Sequence, residues 1–330
     1  MKPTASVIFF LLGLVIRSDG QEIFEQKNDE FVRSLDQSYL QGLLFLQNTQ
    51  GEDGRWTDSS YGSEPGVLGM AVLAFLSRGD DPEFGPFSHS LTKAIRQILT
   101  QQNKETGYIG SSMYNHGFAT LALAEYYGVT NNAEIGPSLK MATNLIVSAQ
   151  NTNPKGAWRY SPESKDADTT ITGAQLVALF ASTNAGIDVP DEAIAKGKKF
   201  LLECQDKRGG FGYTGNSGAN LPRTAIGSLI LALSEDTNSK AYKASVEYLR
   251  QNSAFGDQGH KFYSLYYTAQ AMFRSSPEDW NRWNLTNVRQ LQASQSDSGS
   301  WTGNYGTTFA TSAALLSMAL NYRYLPIYER

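Results

Sequence analysis

The sequence predicts an all-α protein in which six helix pairs close on themselves as an (α/α)6 toroid, and three observations predict it. The first is a repeat. An apolar run ends near a Gln, passes a Gly and an aromatic residue, and gives way to a second apolar run. This happens at Gln50–Trp56, Gln102–Tyr108, Gln150–Trp158, Gln205 through Gly210 to Phe211, and Gln295–Trp301, with a worn copy from Gln251 to Gly256. The aromatic positions recur roughly every 45–53 residues, the worn copy filling the one double-length gap, which is the period of a helix pair. The second observation is that the two runs of each period differ in kind, one amphipathic and one apolar nearly all round. The third is that no window alternates apolar and polar residues for long enough to demand a strand.

The elements follow in order. Lys2, the apolar stretch Val7 to Ile16 and the small residues of Ser18-Asp19-Gly20 read as a secretory signal over residues 1–20, so an exported protein beginning near Gln21 is expected, with residues 21–330 as a single domain. In the third period Leu139, Ala142, Leu145, Ile146 and Ala149 fall at three- and four-residue steps, one buried stripe of an outer helix. Asn151 to Lys165 is a loop rich in Asn, Pro, Gly and Ser. Thr169 to Ala181 is apolar on all sides and therefore an inner helix. The other inner helices are expected at Gly66–Leu76, Gly117–Tyr127, Thr224–Leu233, Tyr263–Phe273 and Phe309–Leu320, where small residues such as Ala119, Gly227 and Ala313 permit crowding. The junction residues are read as structural: Gln to bond backbone groups at helix ends, Gly for a tight turn, the aromatic ring over the joint.

Composition narrows the function classes. Lys and Arg number 28 against 32 Asp and Glu, a net charge of −4, so a polyanionic partner such as nucleic acid is not expected. Cys204 is the only cysteine, which leaves no internal disulfide and reads as a small buried residue. The three histidines, His89, His116 and His260, have no second His or Cys at ligand spacing, so neither a metal nor another cofactor is expected.

The Gln-Gly-Trp signature, with inner helices such as Thr311 to Leu320, resembles the prenyltransferase and squalene-cyclase repeat family of α/α toroids from Leu40 to about Tyr322. Two enzymatic branches of that family are distinguishable. The zinc-dependent protein prenyltransferases carry an Asp, a Cys and a His around the last repeats; this chain has no Cys there, so that activity is not implied. Class II terpene cyclases carry an Asp-x-Asp-Asp run whose middle Asp protonates an alkene or epoxide. The corresponding run is Asp166-Ala-Asp168-Thr169-Thr170, with Asp168 at the donor position and Thr169 in place of the last Asp. The resemblance implies an isoprenoid-like apolar ligand, contact with a membrane surface, and a partner barrel, since such cyclases usually place their cavity between two barrels.

In a toroid of this kind the N-termini of the inner helices gather at one rim. Glu64, Tyr114, Asn115, His116, Asp166, Asp168, Arg223, His260, Phe262, Tyr263, Tyr267, Tyr305 and Thr307 are thereby expected as neighbours. Asp168, Asp166 and His116 are the candidate proton-transfer residues; Tyr114, Arg223, His260, Phe262, Tyr263, Tyr267 and Tyr305 are the candidate ligand contacts. Each has a structural alternative, Asp168 as a helix N-cap above all. Three functional readings stay open: a proton-initiated terpene cyclase, a polysaccharide lyase or hydrolase with His116 and Tyr263 as base and acid, and a non-catalytic toroid that binds a lipid or a protein. In the second, Trp280 and Trp283 are the tryptophans free to stack on sugar.

Overall fold

The computed structural model describes residues 29–59, 61–253 and 259–328, so the apolar targeting stretch and Gly256 of the worn junction lie outside it. Twelve α-helices run through the described residues. The outer ones are α1 (Asp29–Thr49), α3 (Ser88–Thr100), α5 (Ile135–Thr152), α7 (Asp191–Glu203), α9 (Lys240–Asn252) and α11 (Pro277–Ser294). The inner ones are α2 (Pro65–Leu76), α4 (Met113–Thr130), α6 (Thr169–Asn184), α8 (Leu221–Leu233), α10 (Lys261–Ser275) and α12 (Thr307–Ala319). No strand occurs among them; two isolated bridges pair Gln102 with Ile109 and Gln205 with Phe211. The protein is an all-α toroid. Each inner helix packs on the next, and α12 packs back on α2 to close the ring.

Burial follows the apolar pattern. All residues of α2 are buried, whereas α3 buries one stripe, Ser90, Leu91, Ala94, Ile95 and Ile98. Small residues set the spacing between inner helices: a Cβ on Gly69 of α2 would stand 2.6 Å from the Phe118 carbonyl of α4. Five of the inner helices begin one to four residues before their expected apolar runs, and α6 begins at Thr169 as expected.

The junction glutamines tie the outer layer together. Gln150 donates through Nε2 to the carbonyls of Gly156 in its own turn (2.9 Å) and Ala193 in α7 (2.8 Å). Gln50, Gln102 and Gln205 do the same toward Ser90, Ser138 and Ala241 of the following outer helix. Gln295 closes the circle on Ser38 of α1. The indoles of Trp56, Trp158 and Trp301 donate to the carbonyls of Leu46, Ile146 and Leu291 in the outer helices that precede them. The turn residue is a left-handed Gly. In the fourth repeat it is Gly209 (φ 92°) and not Gly210, and a Cβ there would meet the Ala244 carbonyl at 2.2 Å.

That geometry corrects three expectations. Counting two residues on from the turn glycine gives Trp56, Trp158, Phe211 and Trp301, but in the second repeat it gives Ile109, fully buried, and not Tyr108. Among the described residues the worn copy makes no such joint: Gln251 donates to Glu247 on its own helix. The link from α9 to α11 is an ion pair instead, Arg250 Nη2 to the buried Asp279 at 2.7 Å, with Arg282 on the other carboxylate oxygen. Trp280 and Trp283 lie within α11, buried, with Trp280 edge-on to Phe273, so they belong to the outer layer and not to a cavity.

One end of the ring is covered. The segment after α12 turns back so that Leu325, Ile327 and Tyr328 are buried, the last two in a 3-10 turn (Pro326–Tyr328) against α4 and α6. Arg274, at the C-terminal end of α10, donates to the Ile327 carbonyl.

Candidate functional site

At the other end, the N-terminal turns of the six inner helices surround a cavity of about 720 Å3, within the range of small-molecule sites. Capping explains why its rim is polar. Ser112 accepts from Asn115 N at the start of α4, Asp168 from Thr170 N and Ile171 N at α6, and Asn220 from Arg223 N at α8. The repeat therefore delivers one set of polar side chains per helix pair to the same mouth.

The wall is largely aromatic. Tyr61, Tyr114, Tyr160, Tyr213, Tyr263 and Tyr305 line it, with Phe118, Phe309, Val67 and Met70. Tyr61 and Tyr160 are half exposed at the lip, and Tyr160 and Tyr213 join through their hydroxyls at 2.6 Å. Tyr114 and Tyr263 meet edge to face with hydroxyls 3.5 Å apart; burial pushes both phenols above their usual range, so both remain protonated donors. Below them Tyr263, Tyr267 and Tyr266 continue the aromatic stack at 5.0 and 4.7 Å between ring centres.

Three ionisable groups other than phenols reach the cavity: Glu64, Arg223 and His260. Glu64 receives Asn115 Nδ2 and, at 3.1 Å, the Ser111 hydroxyl. Both donors fall on Oε2, and no hydrogen bond to Oε1 occurs among the described residues. His260 stacks on Tyr305, whose hydroxyl lies 2.7 Å from His260 Nδ1. Arg223 is held by Asn220 Oδ1 (2.9 Å) and the Gly218 carbonyl (2.6 Å), with its guanidinium 5.6 Å from the Tyr213 ring centre.

Of the residues expected at the rim, the fold thus brings Tyr114, Arg223, His260, Tyr263 and Tyr305 to one cavity, with Glu64 and Asn115. Others go elsewhere. His116 is buried in the wall with both ring nitrogens engaged: Nδ1 accepts from Ile109 N (3.1 Å) and Nε2 reaches the Ala142 carbonyl (3.0 Å). It occupies the place that Thr172, Thr224 and Thr311 fill in other repeats, each a hydroxyl accepting the backbone N–H of the junction aromatic. Burial drops its pKa to about 4, which keeps the ring neutral. Asp168 is wholly buried beneath the cavity wall as the α6 N-cap. Its Oδ1 accepts from Thr170 N (2.8 Å), the Thr170 hydroxyl (2.6 Å) and Ile171 N (2.9 Å). Burial raises its pKa, while these donors and Arg159, 3.5 Å from Oδ2, oppose the rise. Asp166 is exposed and pairs with Arg159 at 3.3 Å. Phe262 packs over Gly303 outside the cavity, and Tyr267 lies one layer beneath it.

Residues that the sequence did not single out complete the lining: Tyr61, Tyr160 and Tyr213. A signal exists for them, a tyrosine two to five residues after the junction aromatic, as in Trp158-Arg-Tyr160 and Phe211-Gly-Tyr213. Among the described residues no three of His, Cys, Asp and Glu group as metal ligands, and no helix is long and apolar enough to cross a membrane.

With this geometry in hand, comparison with solved structures gives the same architecture. The type II terpene cyclase MstE from Scytonema superposes with a TM-score of 0.63 at 13% identity over 89% of this chain and 100% of its own. A family 76 glycoside hydrolase from a bovine Bacteroides thetaiotaomicron strain gives 0.70 at 10% identity over 88% and 78%. The α-1,6-mannanase GH76A of Salegentibacter, seen with α-1,6-mannotriose, gives 0.65 at 11% over 87% and 99%. At such identities the likeness is one of fold. No curated protein matches the chain by sequence. Residues 44–328 match the family described as domain of unknown function DUF6288, and the chain belongs to that family.

Proposed function

We propose that this protein is a toroid enzyme of the cyclase type, exported by its N-terminal apolar segment, which binds an isoprenoid-like apolar molecule in the tyrosine-walled cavity and exchanges a proton with it through Glu64. The observation that carries the reading is the composition of the wall: ring faces from six tyrosines and two phenylalanines, with a single carboxylate among them. Ring faces bind apolar chains and stabilise developing positive charge by about 0.5–2 kcal/mol each. Glycoside hydrolysis ordinarily needs two carboxyl groups about 5–9.5 Å apart across the scissile bond, and Glu64 is the one acid in the lining. Oε1 of Glu64 is the oxygen turned to the task, since Asn115 and Ser111 hold Oε2. Asp168 supports the site from beneath: its carboxylate accepts from the hydroxyl of Thr170, a residue of the cavity lining.

One observation favours a second reading. The His260–Tyr305 contact at 2.7 Å is a ready base and acid at the mouth, and with Arg223 beside it the site suits proton abstraction from a uronate-bearing sugar. The test is incubation of the purified protein with squalene, prenyl diphosphates and acidic oligosaccharides, read by mass spectrometry. Cyclisation gives an isomer of unchanged mass with fewer alkenes; Glu64→Gln abolishes it, and Asp168→Asn, which retains a cap, leaves a measurable rate. Unsaturated oligosaccharide fragments lost in Tyr305→Phe transfer the assignment to the lyase. Turnover of nothing leaves a binding toroid.

A further inference from the structure

The two strong charges of the cavity are placed asymmetrically. Glu64 precedes α2 and Arg223 lies in the first turn of α8. In the closed sequence α2, α4, α6, α8, α10, α12 these helices are three places apart, so the two side chains face each other across the mouth. Their environments differ. Glu64 is matched by an amide and a hydroxyl donor. The guanidinium of Arg223 has only neutral acceptors, Asn220 Oδ1 on Nε and the Gly218 carbonyl on Nη2; no carboxylate lies within 4.0 Å of it among the described residues. The neighbouring Arg159 is different again: Asp166 and Asp168 neutralise it, and it sits 5.2 Å from both the Tyr160 and Tyr213 ring centres. One side of the mouth therefore carries a positive charge that the protein fixes in place and does not neutralise. The two bonds that Arg223 makes to the loop 218–220 hold its fork still and leave Nη1 for a ligand.

On the reading of an apolar-chain cavity given above, we infer that the ligand is an amphiphile with an anionic oxygen head, a carboxylate or a phosphate, bound at Arg223 against the Tyr213 ring, its apolar body directed to Val67, Met70 and Phe118. An anion there completes a charge-assisted contact in a partly desolvated site, whereas an alcohol of the same chain leaves the cation short of a partner. The head group also fixes orientation, placing the reactive part of the chain away from Arg223 and toward Glu64.

Isothermal titration calorimetry of the mature protein with farnesoic acid, farnesyl phosphate and farnesol, below their micelle concentrations, tests this. Wild type is expected to bind at least one anion about tenfold or more tightly than farnesol, and the tighter of the two identifies the head. Arg223→Gln is expected to erase that preference while farnesol affinity stays within about twofold, which also reports an intact cavity; Arg223→Lys keeps part of it. Equal binding of all three by wild type, or a preference that survives Arg223→Gln, overturns the anionic head and leaves the apolar cavity standing. Binding of none of the three removes the apolar reading and this inference with it.

Discussion

His116 shows how a residue that looks chemical from its neighbours in sequence becomes structural in three dimensions. It stands at the inner-helix position where three other repeats use threonine, and its two nitrogens join the Ile109 amide to the Ala142 carbonyl. Its pKa of about 4 in the fold lies below the roughly 6.5 of an unfolded histidine. The unfolded chain therefore takes up a proton first. This contribution to stability is complete above pH 6.5 and is lost as the pH falls from 6.5 toward 4, by about 3 kcal/mol in all. His116→Thr is expected to lower stability at pH 7.5 by about 2 kcal/mol through the lost packing and the freed Ala142 carbonyl. It also flattens the decline between pH 7.5 and 5. Urea midpoints of the two proteins at those pH values measure it, and parallel declines refute the assignment. Asp168 invites a similar measurement: Asp168→Ala, which removes the α6 cap and the group facing Arg159, is expected to cost about 1–2 kcal/mol, and Asp168→Asn clearly less.

At the scale of the helices, the outer layer depends on side chains that span gaps, because outer helices touch one another little. Gln150→Ala strips partners from two carbonyls, those of Gly156 and Ala193, at an expected cost of about 2–4 kcal/mol. Gln251→Ala, at the copy whose side chain stays on its own helix, is expected to remain within about 0.5 kcal/mol. Thermal unfolding of the pair reads this directly, and equal losses refute the joint. In the same way Asp279→Ala breaks the seam between α9 and α11, leaving Arg250 only Glu247 of its own helix. Much of this level was legible in the sequence. The six helix pairs, their inner and outer character and the role of the glutamines all follow from spacing and apolar faces. The register of the second junction was not, since Tyr108 imitates an aromatic whose place Ile109 takes, and only the left-handed Gly107 tells them apart. The cavity was half legible: helix starts revealed Tyr114, Arg223 and His260, while Tyr61, Tyr160 and Tyr213 come from loops that carry no apolar periodicity and are marked only by their place two to five residues after the junction aromatic. Depth within the wall was not legible at all, which is why Asp168 was expected among the proton-transfer residues and Phe262 among the ligand contacts.

At the scale of the whole molecule, the ring has two unlike ends, one open and lined with tyrosine, the other covered by the segment 325–328. Tyr328 is buried there against α4 and α6, and Tyr328→Ala is expected to cost about 3–5 kcal/mol, as removal of a buried ring does. Chemical denaturation checks the figure; a loss below 1 kcal/mol means that the covering segment is loosely held. The covered end has a further consequence for traffic. A barrel open at both ends lets a polymer thread through or a product leave ahead of the next substrate. On the proposed reading, a ligand of this cavity enters and leaves by the tyrosine-lined end, so each occupant backs out by the way it came before the next is seated.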